Sequence, residues 1–163
     1  MNVLAYAGLL GFISAAQLAW AADDDIVGTY KLISSTRKKL DTGEVVDTYG
    51  KQPSGYIMYG KDGRMLVLIA YDGRPKPESL ESLSNDQRAE LFRTMLAYGG
   101  TYTYSGNRIE HHIDISSNEV WTGTTVIRDI AKEGDRLVYT TRSAPFSGDG
   151  KMSINTLIWE KVK

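Results

Sequence analysis

The chain has 163 residues, of which 42% are apolar, and it carries 19 Lys and Arg residues against 20 Asp and Glu residues, for a formal net charge of −1. This length and composition fit one globular domain with one core, and the balanced charge argues against a nucleic-acid partner, which would need a basic surface. Because the chain contains no Cys, a disulfide framework and a thiol nucleophile are excluded.

An apolar run at residues 3–16 is followed by small residues at Ala19 and Ala21, and then by acidic residues. Signal peptidase cuts after this Ala-x-Ala spacing. We therefore predict a cleaved signal peptide at residues 1–21, one domain at residues 22–163, and a periplasmic or secreted product without stable membrane insertion. An uncleaved anchor or a core helix is the alternative, although the run is shorter than the ~20 apolar residues that span a bilayer.

Alternating patterns rich in β-branched and aromatic residues predict the first strands. They are residues 26–37, a short segment at 45–46, residues 55–59 and residues 64–71. The connection between the last two contains Asp62-Gly63, which accepts the positive φ of a tight hairpin.

One helix is predicted near residues 84–97. Ser84 is a favourable N-cap residue, and Gln87 stands three positions later, which is the spacing of a capping box. Apolar residues between 89 and 96 recur at helical spacing, and Gly99-Gly100 is expected to end the helix.

Further strands follow the helix with short turns between them, at residues 101–104, 108–115, 120–130, 136–142 and 152–161. About eight or nine strands at regular spacing predict an all-β fold, an antiparallel closed β-barrel with one inserted helix. Closure is favoured because it removes exposed strand edges, and a barrel of ~8 strands has room for one small ligand.

The opening Gly28-Thr29-Tyr30 resembles the Gly-x-Trp strand of lipocalins, with Tyr in place of Trp. Over residues 27–162 the chain resembles the bacterial and fungal lipocalin-like domain family. The matching stretches are residues 53–59, 62–65, 98–102, 111–112, 121–124, Arg128 and 157–159. This resemblance implies a short barrel with a small central cavity and a helix inserted partway along the chain.

The adjacent pair His111-His112 is the most suggestive group of titratable residues. Successive strand side chains point to opposite faces, so one metal ion cannot easily take both from a regular strand. We expect no metal and no cofactor. Alternation with Ile109, Ile113 and Ile115 favours His111 as the interior residue. An interior His could hold the barrel together, orient a polar group of a ligand, or act as an acid or base near neutral pH.

Arg128 lies on one face of the predicted strand at residues 120–130, together with Val126, while Trp121 lies on the other face. An inward guanidinium would need a carboxylate or a ligand anion, because burying an unpaired charge is costly. We therefore favour an outward Arg128, paired to a neighbouring strand or stacked on an aromatic ring at the end of the barrel.

The chain is rich in Tyr, with 10 residues, and has 3 Trp. Core packing accounts for most of them, but Tyr also suits a ligand pocket because it offers an apolar ring with one polar group. The residues predicted to line such a pocket are Tyr59, Tyr98, Tyr102, His111, Trp121, Arg128, Met58, Met65 and Met95.

Three functions fit this sequence. The first, which we predict, is an exported module that binds a small hydrophobic or aromatic molecule in the barrel cavity. The second is a cofactor-free isomerase, cyclase or hydratase in which His111, His112 and Tyr102 would move protons. The third is a barrel with a solid interior whose outer surface binds another protein. The sequence specifies neither the ligand nor an oligomeric state.

Overall fold

The computed structural model describes residues 26–163, and the predicted signal peptide at residues 1–21 lies outside them. The described chain is dominated by one ten-stranded sheet. Its elements in chain order are β1 (Gly28–Lys39), β2 (Val45–Asp47), β3 (Ser54–Tyr59), β4 (Arg64–Ala70), α1 (Asn85–Arg93), β5 (Met95–Tyr104), β6 (Arg108–Ser116), a 3-10 turn (Glu119–Trp121), β7 (Thr125–Glu133), β8 (Arg136–Thr141), β9 (Ala144–Pro145) and β10 (Met152–Lys161).

Eight of these strands form a closed antiparallel barrel in the order β1-β3-β4-β5-β6-β7-β8-β10. The pairing of β1 with β10, from Tyr30 opposite Lys161 to Lys39 opposite Ser153, closes it. Strands β2 and β9 pair with the end of β1 and the start of β10. The predicted fold class, an all-β closed barrel of the lipocalin-like kind with an inserted helix, is confirmed.

The two ends of the barrel differ in their connections. Tight turns join β3 to β4, β5 to β6, and β7 to β8 at one end, which we call the turn end. The longer connections, residues 40–53, 71–94, 117–124 and 142–151, all lie at the opposite end, which we call the loop end.

The barrel interior is filled by inward-pointing side chains from all eight barrel strands. The buried core consists of Ile26, Tyr30, Leu32, Ile57, Tyr59, Met65, Val67, Ile69, Tyr98, Tyr102, Ile109, Ile113, Ile130, Leu137, Tyr139, Leu157 and Trp159. Five of these are Tyr and one is Trp, so rings with polar groups occupy much of the interior.

A β-bulge between Leu32 and Ser34 changes which residues of β1 point inward. Before it, Tyr30 and Leu32 are buried, and after it Ser35 and Arg37 are buried. The extra residue moves the alternation by one position, and it places two polar side chains at the loop end of the interior.

A second irregularity lies between β5 and β6, where Gly99 pairs with Ile115 and Gly100 pairs with Ile113. Strand β6 therefore has one extra residue, and Ile115 is 68% exposed. The prediction that Ile115 shares the face of His111 is wrong, because the bulge rotates the end of β6 outward.

The helix begins as predicted and ends earlier. Ser84 Oγ accepts from the Gln87 N–H at 3.2 Å, and Gln87 Oε1 accepts from the Ser84 N–H at 2.9 Å, so the capping box is present. The helix ends at Arg93, and the predicted extension to residue 97 and the helix stop at Gly99-Gly100 are wrong. These residues belong to β5, where hydrogen bonds to both β4 and β6 outweigh the helical spacing of their apolar side chains. No helix within residues 26–163 is long and apolar enough to cross a membrane.

Candidate functional site

His111 lies at the centre of the barrel and is fully buried. Strand β6 alternates Ile109, His111 and Ile113 toward the interior, as the sequence pattern predicts. The imidazole Nε2 lies 2.7 Å from the Tyr59 hydroxyl, and Nδ1 lies 3.2 Å from the Tyr98 hydroxyl. Both ring nitrogens therefore have partners from other strands.

Arg128 also points inward and is only 7% exposed, so the prediction of an outward Arg128 is wrong. Strand β7 starts at Thr125, and its register with β6 and β8 directs Val126, Arg128 and Ile130 to the interior. The Arg128 Nη1 group donates to His111 Nδ1 at 3.1 Å. The register of β7 with its neighbours directs the Arg128 side chain inward, despite the cost of burying its charge.

Arg128 is a buried cation that forms hydrogen bonds with two neutral side chains, His111 and Tyr98. No carboxylate within residues 26–163 forms an ion pair with it. Burial works against its charge, but the surrounding phenols, Tyr98 and Tyr59 foremost, outweigh burial and raise the pKa of Arg128. The guanidinium thus remains charged inside an aromatic interior, where a charge is stable only with good hydrogen-bond acceptors.

The contact with Arg128 determines the tautomer of His111. A guanidinium only donates, so Nδ1 of His111 is the acceptor and Nε2 carries the proton. Nε2–H then donates to Tyr59 Oη, and the Tyr59 hydroxyl lies 2.7 Å from that of Tyr139. A continuous chain of hydrogen bonds follows, from Arg128 through His111 and Tyr59 to Tyr139, and its direction is fixed as far as Tyr59.

The protein environment keeps the side chains bonded around Arg128 in their neutral forms. Burial, followed by the positive charge of Arg128, lowers the pKa of His111 well below its usual range. Burial raises the pKa of the Tyr59, Tyr98 and Tyr139 hydroxyls. The group is therefore a fixed set of hydrogen-bond donors and acceptors around one permanent charge.

Aromatic rings continue from Arg128 toward the loop end. Tyr98 contacts Trp121 edge to face, with 5.5 Å between ring centroids, and Tyr49 contacts Tyr71 at 4.9 Å. Trp121 and Tyr49 are only partly buried and pack against the core. Trp121 lies in the 3-10 turn before β7 rather than on a strand, so the predicted strand at residues 120–130 begins too early.

The other predicted pocket residues fall into two groups. Tyr102 and Met65 point inward, and the Tyr102 hydroxyl donates to the Gly60 carbonyl at 3.0 Å, at the turn end. Met58 and Met95 are 40% and 38% exposed. They lie on the outer face of β3 and at the start of β5, so they do not line the interior.

The three residues considered for proton transfer do not meet in one place. His112 points outward from β6 and contacts the hydroxyls of Thr103 and Thr125 at 3.1 and 3.0 Å. The Tyr102 hydroxyl contacts Gly60 instead of His111. Only His111 belongs to the central chain.

Sequence reasoning missed Tyr139 and Tyr49 as members of the interior group. Tyr139 alternates with Leu137 on β8, which is a signal that could have found it. Tyr49 follows β2 in a connection without regular alternation, so no periodic pattern indicates its position.

Two surface grooves flank helix α1 on the outside of the barrel. One, of about 360 Å³, is lined mainly by apolar residues that include Leu80, Leu91, Phe92 and Met95. The other, of about 480 Å³, runs along residues 71–77. Met95, predicted for the interior pocket, therefore lines an external groove.

A match to a protein-family profile agrees with this architecture. The profile of the lipocalin-like domain family matches residues 27–162. The chain is 31% identical over 108 residues to the 4'-hydroxy-3'-methoxypropiophenone carrier protein ppsC of Aspergillus oryzae, an alignment that covers 60% of this chain and 96% of that protein.

Among solved structures, the chain is similar to a redesigned β-barrel, with a TM-score of 0.39 and 11% identity over 84% of this chain and 91% of that chain. It is also similar to an uncharacterized protein from Bacteroides eggerthii, with a TM-score of 0.40 and 14% identity over 85% of this chain and 100% of that chain.

Proposed function

Because the chain belongs to the lipocalin-like domain family, we propose that it binds and carries a small, largely apolar aromatic molecule inside its barrel. The ligand has an oxygen that accepts hydrogen bonds, such as a ketone or a phenolate, and this oxygen binds Arg128. The Aspergillus oryzae relative is named as the carrier of a substituted propiophenone, an aromatic ketone, which supports this class of ligand.

The observation that carries the proposal is the charge of Arg128 in the closed interior. A buried guanidinium has five N–H donors, and a ligand oxygen would supply the charge-assisted hydrogen bond that a carboxylate supplies elsewhere. Tyr98 forms a hydrogen bond with Arg128, Trp121 contacts the Tyr98 ring, and the two rings offer faces and edges for an aromatic ligand. A few polar groups within an apolar, aromatic lining are typical of small-molecule sites.

The ligand would enter from the loop end and lie between Arg128 and the rings of Tyr49 and Trp121. The interior rings pack against one another, so binding requires the partly buried rings of Tyr49 and Trp121 to move aside. Both residues lie in connections rather than in the barrel strands, where such movement costs least.

Paired ligands that differ in one oxygen test this proposal. We expect acetophenone to quench the fluorescence of the wild-type protein on binding and to bind more tightly than ethylbenzene, which has no acceptor. In Arg128→Met the affinity for acetophenone should fall about ten- to hundredfold, the effect expected for a hydrogen bond to a charged group. Arg136→Met is the matched control, because Arg136 is exposed and pairs with Glu160 on the outside.

Equal binding of acetophenone and ethylbenzene by the wild-type protein would contradict the role of Arg128, and no saturable binding of either would contradict the carrier function. Circular dichroism of Arg128→Met verifies that the barrel is intact. Turnover of neither compound is expected, since His112 points outward to Thr103 and Thr125 and the Tyr102 hydroxyl donates to the Gly60 carbonyl.

Export is part of the proposed function and depends on residues 1–21. The support is the apolar run followed by Ala19 and Ala21. The intact mass of the protein recovered from the periplasm or the medium tests it, and we expect a mature chain that starts at Ala22. A full-length chain retained inside the cell would contradict export.

A further inference from the structure

The wall of the barrel formed by β1 and β10 also carries buried polar atoms. In the circular strand order, β1 lies four strands from β6, the strand of His111, and β10 lies two strands from β7, the strand of Arg128. This wall therefore faces His111 across the interior and lies beside Arg128. Ser35 on β1 is 2% exposed. Its Oγ atom and the Asn155 Oδ1 atom on β10 have no hydrogen-bond partner within residues 26–163.

These two side chains are neighbours. Ser35 pairs with Leu157, and Arg37 pairs with Asn155, so Ser35 and Asn155 are diagonal neighbours on one face of the sheet. Thr48 extends the group, because its N–H donates to the Ser35 carbonyl at 2.9 Å. The buried Thr48 Oγ1 is likewise without a partner among the described residues.

Buried polar atoms without a hydrogen-bond partner destabilise a folded protein. Each buried, unpaired donor or acceptor costs roughly 1–3 kcal/mol, and an apolar side chain of similar size would avoid that cost. The bulge after Leu32 turns Ser35 toward the interior, and bulges commonly redirect a side chain at a functional site. A binding partner for these atoms accounts for both features.

We infer that Ser35 and Asn155 form a second polar subsite that binds a hydroxyl group of the carried molecule. The Asn155 carbonyl oxygen accepts the hydrogen of that hydroxyl, and Ser35 Oγ completes its hydrogen bonding. The carried molecule is then an aromatic compound with two separate polar groups, a hydrogen-bond acceptor at Arg128 and a hydroxyl at Ser35 and Asn155. This inference rests on the proposed function.

The affinities of two ligands, measured on the wild-type protein and on a variant, test this inference. We compare 4-hydroxyacetophenone with acetophenone on the wild-type protein and on the double variant Ser35→Ala with Asn155→Leu. The hydroxyl should tighten binding to the wild type about tenfold, as one buried hydrogen bond does. In the double variant the two compounds should bind within twofold of each other, while acetophenone keeps its wild-type affinity. Thr156→Val, on the outer face of β10 next to Asn155, should retain the tenfold preference.

The possible outcomes separate this inference from the proposed function. If acetophenone binds with dependence on Arg128 but the hydroxyl adds nothing, the subsite is absent and the carrier function stands. If the preference persists in the double variant, the hydroxyl binds elsewhere and the inference fails. If neither compound binds, both proposals fail together. Should circular dichroism show that the double variant is unfolded, Ser35→Ala alone gives the same comparison, with a preference of less than tenfold expected.

Discussion

Arg128 Nη1 lies 3.1 Å from His111 Nδ1 at the centre of the barrel, and this contact determines the protonation of the imidazole. The donor cannot accept a proton, so His111 is neutral with its hydrogen on Nε2. The charged guanidinium of Arg128 and the neutral imidazole of His111 thus form one hydrogen-bonded pair.

The tautomer of His111 can be observed directly. In protein labelled with ¹⁵N at histidine, long-range proton–nitrogen spectra should show Nδ1 without a proton and Nε2 with one, and this pattern should persist at pH 5.5 because the pKa is lowered. In Arg128→Met the tautomer should no longer be fixed. A protonated imidazolium at pH 5.5 in the wild type would contradict the chain of hydrogen bonds.

Stability should decrease at mildly acidic pH because of His111. The folded protein keeps the ring neutral, with its pKa well below 6.5, whereas the unfolded chain binds a proton near 6.5. The contribution of the neutral His111 to the free energy of unfolding is therefore complete above pH 6.5. It is lost as the pH falls below that value, by up to about 1.4 kcal/mol per pH unit. Urea unfolding at pH 7.5, 6 and 5 measures this slope.

The control for this slope is a pair of variants. His111→Gln should flatten the dependence between pH 7 and 5, and His112→Asn, on the outer face, should retain it. Asp149, whose pKa its hydrogen bond with Arg37 lowers to about 2, stays ionised over this range. An unchanged slope in His111→Gln would assign the effect to another group.

A salt bridge links the connection before β10, at residues 142–151, to the end of β1. The Arg37 guanidinium donates to both carboxylate oxygens of Asp149 at 2.9 and 2.8 Å and lies 4.1 Å from the centre of the Phe146 ring. Asp149→Asn should increase amide hydrogen exchange in residues 142–151 and speed the entry of acetophenone. Glu44→Gln, which removes the exposed pair with Lys39, is the control and should change neither rate.

Gly100 is required by the close approach of β5 and β6. A Cβ atom there would overlap the backbone carbonyl oxygen of His112, which cannot move without breaking the ladder. Gly100→Ala should lower the free energy of unfolding by about 3 kcal/mol, measured by urea denaturation. Gly99→Ala is the matched control, because its Cβ would meet Leu66 at 3.2 Å, and it should cost about 1 kcal/mol. Equal values for both variants would contradict this account.

Much of the barrel follows from local pattern. The alternation in β6 predicts the inward His111, and the Ser84 and Gln87 capping box predicts the start of the helix. Both features depend on residues within a few positions of each other, so the sequence contains them. The end of the helix could not be predicted in this way, because residues 95–97 pair with β4, which is distant along the chain.

The sequence by itself determined that the chain forms an antiparallel barrel with a helix after β4, and that His111 is an interior residue, because a strand's side chains alternate with a fixed period of two. Only the tertiary structure decided that Arg128, Ser35 and Asn155 face inward and that Ile115 faces out. These orientations depend on the register between strands and on two bulges. One extra residue reverses the facing of all side chains that follow, and no local pattern in the chain records it.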